Sequence, residues 1–184
     1  GQLYQLQGDK ALAKNAYNKV LKLQPSNEMD FNARLRLAQL EESPKEAIHL
    51  LTKMAKLEKN QDQADQIYGA IGDVYLALKD TAKALENYEK AIAESTQNGM
   101  AKANVLITAG DIYYTQRDYI KASPCYKEAT QILSAESEQY VRIQRRSETL
   151  DELVVEYSMV QLQDSLQHLA TLSEEEQRVV VDSI

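Results

Sequence analysis

Gly72-Asp73-Val74-Tyr75 and Gly110-Asp111-Ile112-Tyr113 share one spacing, and so do the residues that follow them. Nine residues after each Tyr stands Ala (Ala84, Ala122), then Tyr four later (Tyr88, Tyr126), then Ala three later (Ala91, Ala129). The two stretches therefore match without a gap, and the chain contains an internal repeat. Working outward, Asp9 through Pro25 carries Ala13, Tyr17 and Val20 at the same offsets, with Gly1 and Tyr4 in place of Gly72 and Tyr75. A more divergent copy has Phe31, Leu35 and Ala38, then Ser43, Ala47, Leu51 and Met54. The Ala anchors at 13, 47, 84 and 122 are 34, 37 and 38 residues apart, close to the period of a helix-turn-helix repeat of about 34.

Elementary helix geometry gives these spacings a meaning. Gly followed by Tyr three later, and Ala, Tyr, Ala at steps of four and three, put small and large residues on one face of a helix with 3.6 residues per turn. Small residues let two helices approach, and Tyr fills the space between them. Asp9, Asp80 and Asp118, and Ser43 in the divergent copy, mark the start of each second helix. Their side-chain oxygens accept backbone N–H groups that the first helical turn leaves unpaired, worth about 1 kcal/mol each. Ser43-Pro44-Lys45-Glu46 adds Pro at the first helical position and Glu three after the cap. Pro124, six residues beyond Asp118, removes an intrahelical bond and predicts a kinked or distorted helix there.

The filled pattern resembles the tetratricopeptide repeat, whose signature is a large residue, Leu-Gly, Tyr, then Ala, Phe or Tyr, Ala and often Pro. Tyr68, Ile71, Gly72, Tyr75, Ala84, Tyr88 and Ala91 fill it in one copy; Leu106, Ala109, Gly110, Tyr113, Ala122, Tyr126 and Ala129 fill it in the next. Pro25 supplies the closing Pro of the first copy. The resemblance implies an all-α right-handed solenoid of antiparallel helix pairs: a partial repeat at 1–27, a divergent one at 28–61, and repeats at 65–98 and 103–136. Six Gly and three Pro in 184 residues, with no run of alternating β-branched residues, agree with an all-helical chain.

Residues 137–184 keep helical periodicity without the Gly and Ala anchors, and read as a helical extension or cap. Tyr140, Ile143, Leu150, Leu153, Val154 and Tyr157 share one apolar face; Leu162, Leu166 and Leu169 define another. Arg142, Arg145 and Arg146 form a basic cluster, expected to be a solvated face balanced by Glu138, Glu148, Asp151 and Glu152. Ser173 with Glu176 makes a capping box ahead of Val179, Val180 and Val181. A first repeat short of most of its first helix, and a well-started last helix stopping at Ile184, predict a fragment of a longer protein.

Net charge of −7 and a pI near 5.0 argue against general nucleic-acid binding, which needs cations to neutralise phosphates. No apolar run approaches the roughly 20 residues that span a bilayer. The lone Cys125 allows no internal disulfide, and reads as a small buried hydrophobe. His49 and His168 stand without a ligand set, and no Gly-rich phosphate loop accompanies Gly72 or Gly110. Neither a catalytic site nor a metal or other cofactor is expected. Most of the eleven Tyr fall on repeat anchors and are read as core.

By the same resemblance, the first helices of successive repeats line a concave groove that takes a peptide segment or a partner helix. That groove includes Gln66, Asp73 and Leu76 from one repeat and Asn104, Ile107, Asp111 and Tyr114 from the next, with Gly69, Ala77 and Thr115 beside them. Relatives that clamp a peptide carboxylate place Asn and Lys or Arg here; Asp73 and Asp111 would repel one. The expectation is a non-enzymatic interaction scaffold whose groove prefers polar or basic segments. Its alternatives are a regulatory sensor for a peptide or small ligand, and the targeting arm of a larger enzyme. Residues 145–176 also resemble the region after the repeats in large Bacteroidota lipoproteins of gliding motility and type IX secretion. That implies the periplasmic side of the outer membrane, with the cytoplasm as the alternative.

Overall fold

A computed structural model describes residues 1–97, 99–173 and 177. Helices α1 (Gln2–Leu6) and α2 (Lys10–Lys22), α3 (Asn27–Gln39) and α4 (Pro44–Ala55), α5 (Ala64–Ala77) and α6 (Thr81–Glu94), and α7 (Met100–Thr115) and α8 (Tyr119–Ile132) form successive pairs. A 3₁₀ turn, Glu58–Gln63, leads into α5, and the long α9 (Glu138–Thr171) follows the pairs. Each helix packs on its neighbours in sequence, and first helices touch across repeats, α3 to α5 and α5 to α7. The result is an all-α solenoid whose core lies between adjacent units.

The anchors behave as small and large halves of one interlock. Ala13, Ala84 and Ala122 are fully buried, Ala47 nearly so, and the rings of Tyr88 and Tyr126 are sealed from solvent. A methyl group added at Gly72 would stand 2.4 Å from the ring of Tyr88, and one at Gly110 would stand 3.0 Å from that of Tyr126. The glycines are there because an aromatic ring lies against the helix backbone. The divergent copy solves the same problem with the volumes exchanged. Aligned on Ala47 and Ala84, Leu35 replaces Gly72 and Leu51 replaces Tyr88, while Ala38 replaces Tyr75 and Met54 replaces Ala91; all four are buried. Volume-conserving exchanges of this kind are the tolerated ones in a dense core.

Asp9, Ser43, Asp80 and Asp118 each accept a backbone N–H three residues on, as the sequence predicts. In three of the four pairs the chain closes between the helices through a left-handed residue. Asp80 N–H reaches Tyr75 C=O at 3.0 Å and Lys79 N–H reaches Leu76 C=O at 2.9 Å, the two bonds of a Schellman turn. Gly8, Lys79 and Arg117 hold the positive φ, at 80°, 62° and 63°. A side chain in this region costs about 1–2 kcal/mol, whereas glycine loses about 0.5–1 kcal/mol more chain entropy on folding. Lys79→Gly is therefore expected to stabilise the protein by roughly 0.5 kcal/mol, read as a higher urea midpoint; a lower midpoint contradicts it.

Pro124 does not interrupt its helix: α8 runs from Tyr119 to Ile132 through it. Its neighbours Ala122, Ser123, Tyr126 and Ala129 are buried, so packing against α7 and α9 outweighs the one missing hydrogen bond. α9 lies on α8 through Ile143, Ser147 and Leu150, and Ser123 Oγ donates to Asp151 at 2.8 Å. Of the Arg cluster, Arg142 and Arg145 are exposed, as expected of a solvated face, whereas Arg146 is half-buried and reaches across to Asp111 on α7, with Arg142 3.9 Å from the same carboxylate. The second apolar face has no cover among the described residues: Leu162 and Leu166 are exposed. Of the capping box, Glu174–Glu176 and the valines after it lie outside the described residues.

Candidate functional site

First helices α3, α5 and α7 enclose a cavity of about 230 Å³. Gln66, Gly69 and Asp73 come from α5, Asn104, Val105 and Thr108 from α7, and Arg36 and Gln39 from α3. One face of each first helix is free to line the cavity because another is consumed by its partner's anchors, Ala and Tyr in α6 and α8 and Ala47 with Leu51 in α4. A second hollow continues from it past Arg36, Gln39 and Asp73 towards Pro44 and Ala77. Together they form the floor of a polar groove. Gly69 is again a close-approach residue, with Val105 of α7 3.1 Å from where its Cβ would be.

The predicted groove residues divide. Gln66, Asp73 and Asn104 line the cavity. Leu76 and Asp111 line a separate hollow of about 460 Å³ with Thr81 and Thr115, and Tyr114 lines a third with Arg145 and Arg146. Ile107 is buried in the core and gives a ligand no apolar contact: it lies one turn from Ala103 and Gly110 on the inward side of α7.

The two aspartates, alike in sequence, have different surroundings. Both accept the hydroxyl of the second-helix Tyr, from Tyr88 at 2.8 Å and from Tyr126 at 2.6 Å. These bonds explain the Asp that follows each Gly: it holds the Tyr whose ring the Gly admits. Asp111 is also engaged by Arg146, with Arg142 at 3.9 Å. The Arg146 guanidinium donates to the Tyr126 hydroxyl at 3.1 Å and lies over the rings of Tyr114 and Tyr126, 5.2 and 5.7 Å from their centres. Tyr114 is further fixed by an edge contact with Tyr119 at 5.6 Å. The predicted acidic pair is thus one neutralised carboxylate and one that the described ion pairs leave alone.

Asp73 is exposed at the cavity mouth. Protein atoms nevertheless crowd its carboxylate, and that desolvation lifts its pKa above the ordinary carboxylate value despite the Tyr88 hydrogen bond. The other charges on the cavity have partners: Arg36 bonds Gln39 at 3.0 Å, Lys102 pairs with Glu128 at 2.6 Å, and Asp65 accepts Ser95 Oγ at 3.2 Å. Arg36 escaped the sequence reading, although alignment on the repeat anchors puts it at the position of Asp73.

Burial pushes the Cys125 thiol up to about 11, so it stays protonated at neutral pH. His49 and His168 are exposed. Among the described residues no group of three His, Cys, Asp or Glu side chains is placed to hold a metal ion, and no helix is long and apolar enough to cross a membrane.

A solenoid of interlocked helix pairs with a polar cavity along its first helices defines a helical-repeat binding module. Two family models described as tetratricopeptide repeat match residues 63–135 and 1–27, together more than half of the chain. The chain belongs to the tetratricopeptide repeat family. No curated protein matches it. Among solved structures, the crystal structure of MamA is similar, with a TM-score of 0.54 and 23% identity over 81% of each chain; that likeness concerns the fold.

Proposed function

We propose that the protein is a non-enzymatic scaffold that holds an extended segment of a partner protein along α3, α5 and α7. One observation carries this reading: the cavity and the hollow beside it run across three successive repeats and present Gln39, Gln66 and Asn104. Side-chain amides both donate and accept, so they match the alternating N–H and C=O groups of a peptide backbone. Arg146 on Asp111 closes this groove at its α9 end, and the usable length lies between Arg36 and Thr108. Membership of the repeat family supports a protein partner.

The test is co-purification of the full-length protein from its native host, comparing two variants. Asn104→Arg fills the exposed side of the groove; Glu86→Lys changes an exposed residue of α6 on the other side. The expected result is loss of the co-purified protein with Asn104→Arg alone, at unchanged thermal stability; retention by both variants overturns the groove. The setting proposed for this binding, a secretion or motility assembly on the periplasmic side of the outer membrane, is supported by the resemblance of residues 145–176. Fractionating native cells tests it, and recovery in the cytoplasm refutes it.

A further inference from the structure

We infer that the cavity beside Asp73 receives the guanidinium of an arginine carried by the partner segment. The inference rests on the groove proposed above and specifies what it recognises. The same arrangement of Gly, Asp and Tyr occurs twice in the molecule, and an arginine completes it once.

In the repeat of α7 and α8, a carboxylate next to the close-approach glycine accepts the Tyr126 hydroxyl, and Arg146 completes the group. Arg146 engages the Asp111 carboxylate, donates to the Tyr126 oxygen and covers the Tyr114 ring. A guanidinium suits this place because its planar fork can address a carboxylate and a hydroxyl together, which an ammonium addresses only as a point charge. The repeat of α5 and α6 builds the same receptor: Gly72, Asp73 and Tyr88, with the hydroxyl on Asp73 at 2.8 Å. What differs is the next helix. Aligning the buried Leu106, Gly110 and Tyr113 of α7 with the buried Ile143, Ser147 and Leu150 of α9 sets Ala109 where α9 has Arg146 and Val105 where it has Arg142. Neither of these two positions of α7 therefore carries a cation, and a cavity of about 230 Å³ lies beside Asp73.

Electrostatics points the same way. The carboxylate is crowded by protein and held by one neutral donor, the condition under which a bound cation contributes most. Arg36 and Lys102 share the cavity but are bonded to Gln39 and Glu128. Leu76 replaces Tyr114 beside the receptor, so the incoming arginine would lack that aromatic face and bind more weakly than Arg146 is held.

The probes are two blocked pentapeptides, Ala-Ala-Arg-Ala-Ala and the same peptide with citrulline, the uncharged isostere of arginine. Each is titrated to millimolar concentration into the ¹⁵N-labelled chain and followed by amide chemical shifts. The arginine peptide is expected to move amides at 66–73 and 104–108 with an affinity about tenfold above the citrulline peptide. Asp73→Asn should abolish that preference. A third protein, Arg146→Ala, vacates the template and should show a second arginine-dependent response at 110–114. Equal binding of both peptides in the groove removes the arginine while leaving the groove reading intact. No response at 66–73, or a response of Arg146→Ala only at Asp111, also overturns the inference.

Discussion

Replacing Tyr88 by alanine is expected to cost about 3–5 kcal/mol of folding stability, the range for deleting a buried aromatic ring. Tyr88 is fully buried at the junction of α5, α6 and α7, so the cavity left behind has walls on three helices and little room to collapse. Tyr88→Phe separates ring from hydroxyl. It keeps the ring and removes the donor to Asp73, at an expected cost of about 1 kcal/mol. Urea unfolding of the two variants measures both values. Because stability in a repeat array is shared between neighbours, amide exchange in Tyr88→Ala should rise first in α5–α7. A loss below about 1 kcal/mol for Tyr88→Ala would show that the ring is not the keystone of this repeat.

Gly72→Leu is expected to be nearly as damaging, and Tyr88→Leu should relieve it. A Cβ at Gly72 alone approaches ring atoms of Tyr88 to 2.4 Å, and a whole leucine overpacks a closed core at a cost of about 3 kcal/mol. The divergent copy already contains the compensated arrangement, Leu35 with Leu51, both buried. The double variant should therefore regain at least about 1.5 kcal/mol over the sum of the single changes, a coupling expected only of residues in contact. Strict additivity would mean that the exchange of volumes between repeats is coincidental. Gly110→Ala offers a graded comparison. Its Cβ would stand 3.0 Å from Tyr126, and the gain in helix propensity of about 1 kcal/mol is expected to cancel most of the strain, making it milder than Gly72→Ala.

These effects share a cause with the distribution of function along the chain. The anchor tyrosines Tyr17, Tyr88 and Tyr126 each lie against a glycine and donate their hydroxyl to a polar partner. Gly72 with Asp73 and Gly110 with Asp111 provide both, and Tyr17 donates to Gln5 at 3.1 Å in the first copy. The aspartates thus belong to the architecture before they belong to any ligand. Whether such a residue remains usable depends on what the following helix places over it: Arg146 over Asp111, only Ala109 and Val105 near Asp73.

The order of helices, their caps and their interlocked faces were legible in the sequence because each depends on residues a few positions apart. Asp80 caps at Lys83, and Gly72 precedes Tyr75 by one turn; local chemistry of this kind repeats whenever the pattern repeats. Even the divergent copy obeyed it, through Ser43-Pro44 and the Ala47 anchor. The helix through Pro124 was not legible in this way, since burial of its flanks by α7 and α9 overrode a local penalty. Nor was the burial of Ile107, whose side of α7 is set by the neighbouring pairs.

The sequence by itself determined that this is an all-α array of helix pairs, with two equivalent Gly-Asp steps at the heart of two repeats. Only the tertiary structure decided that these aspartates are unlike: one neutralised by an arginine 35 residues away, the other beside an open polar cavity. The reason is range. Helical periodicity and capping act within a turn or two, whereas a charge pair between α7 and α9 has no spacing rule and exists only once the solenoid has brought the two helices together.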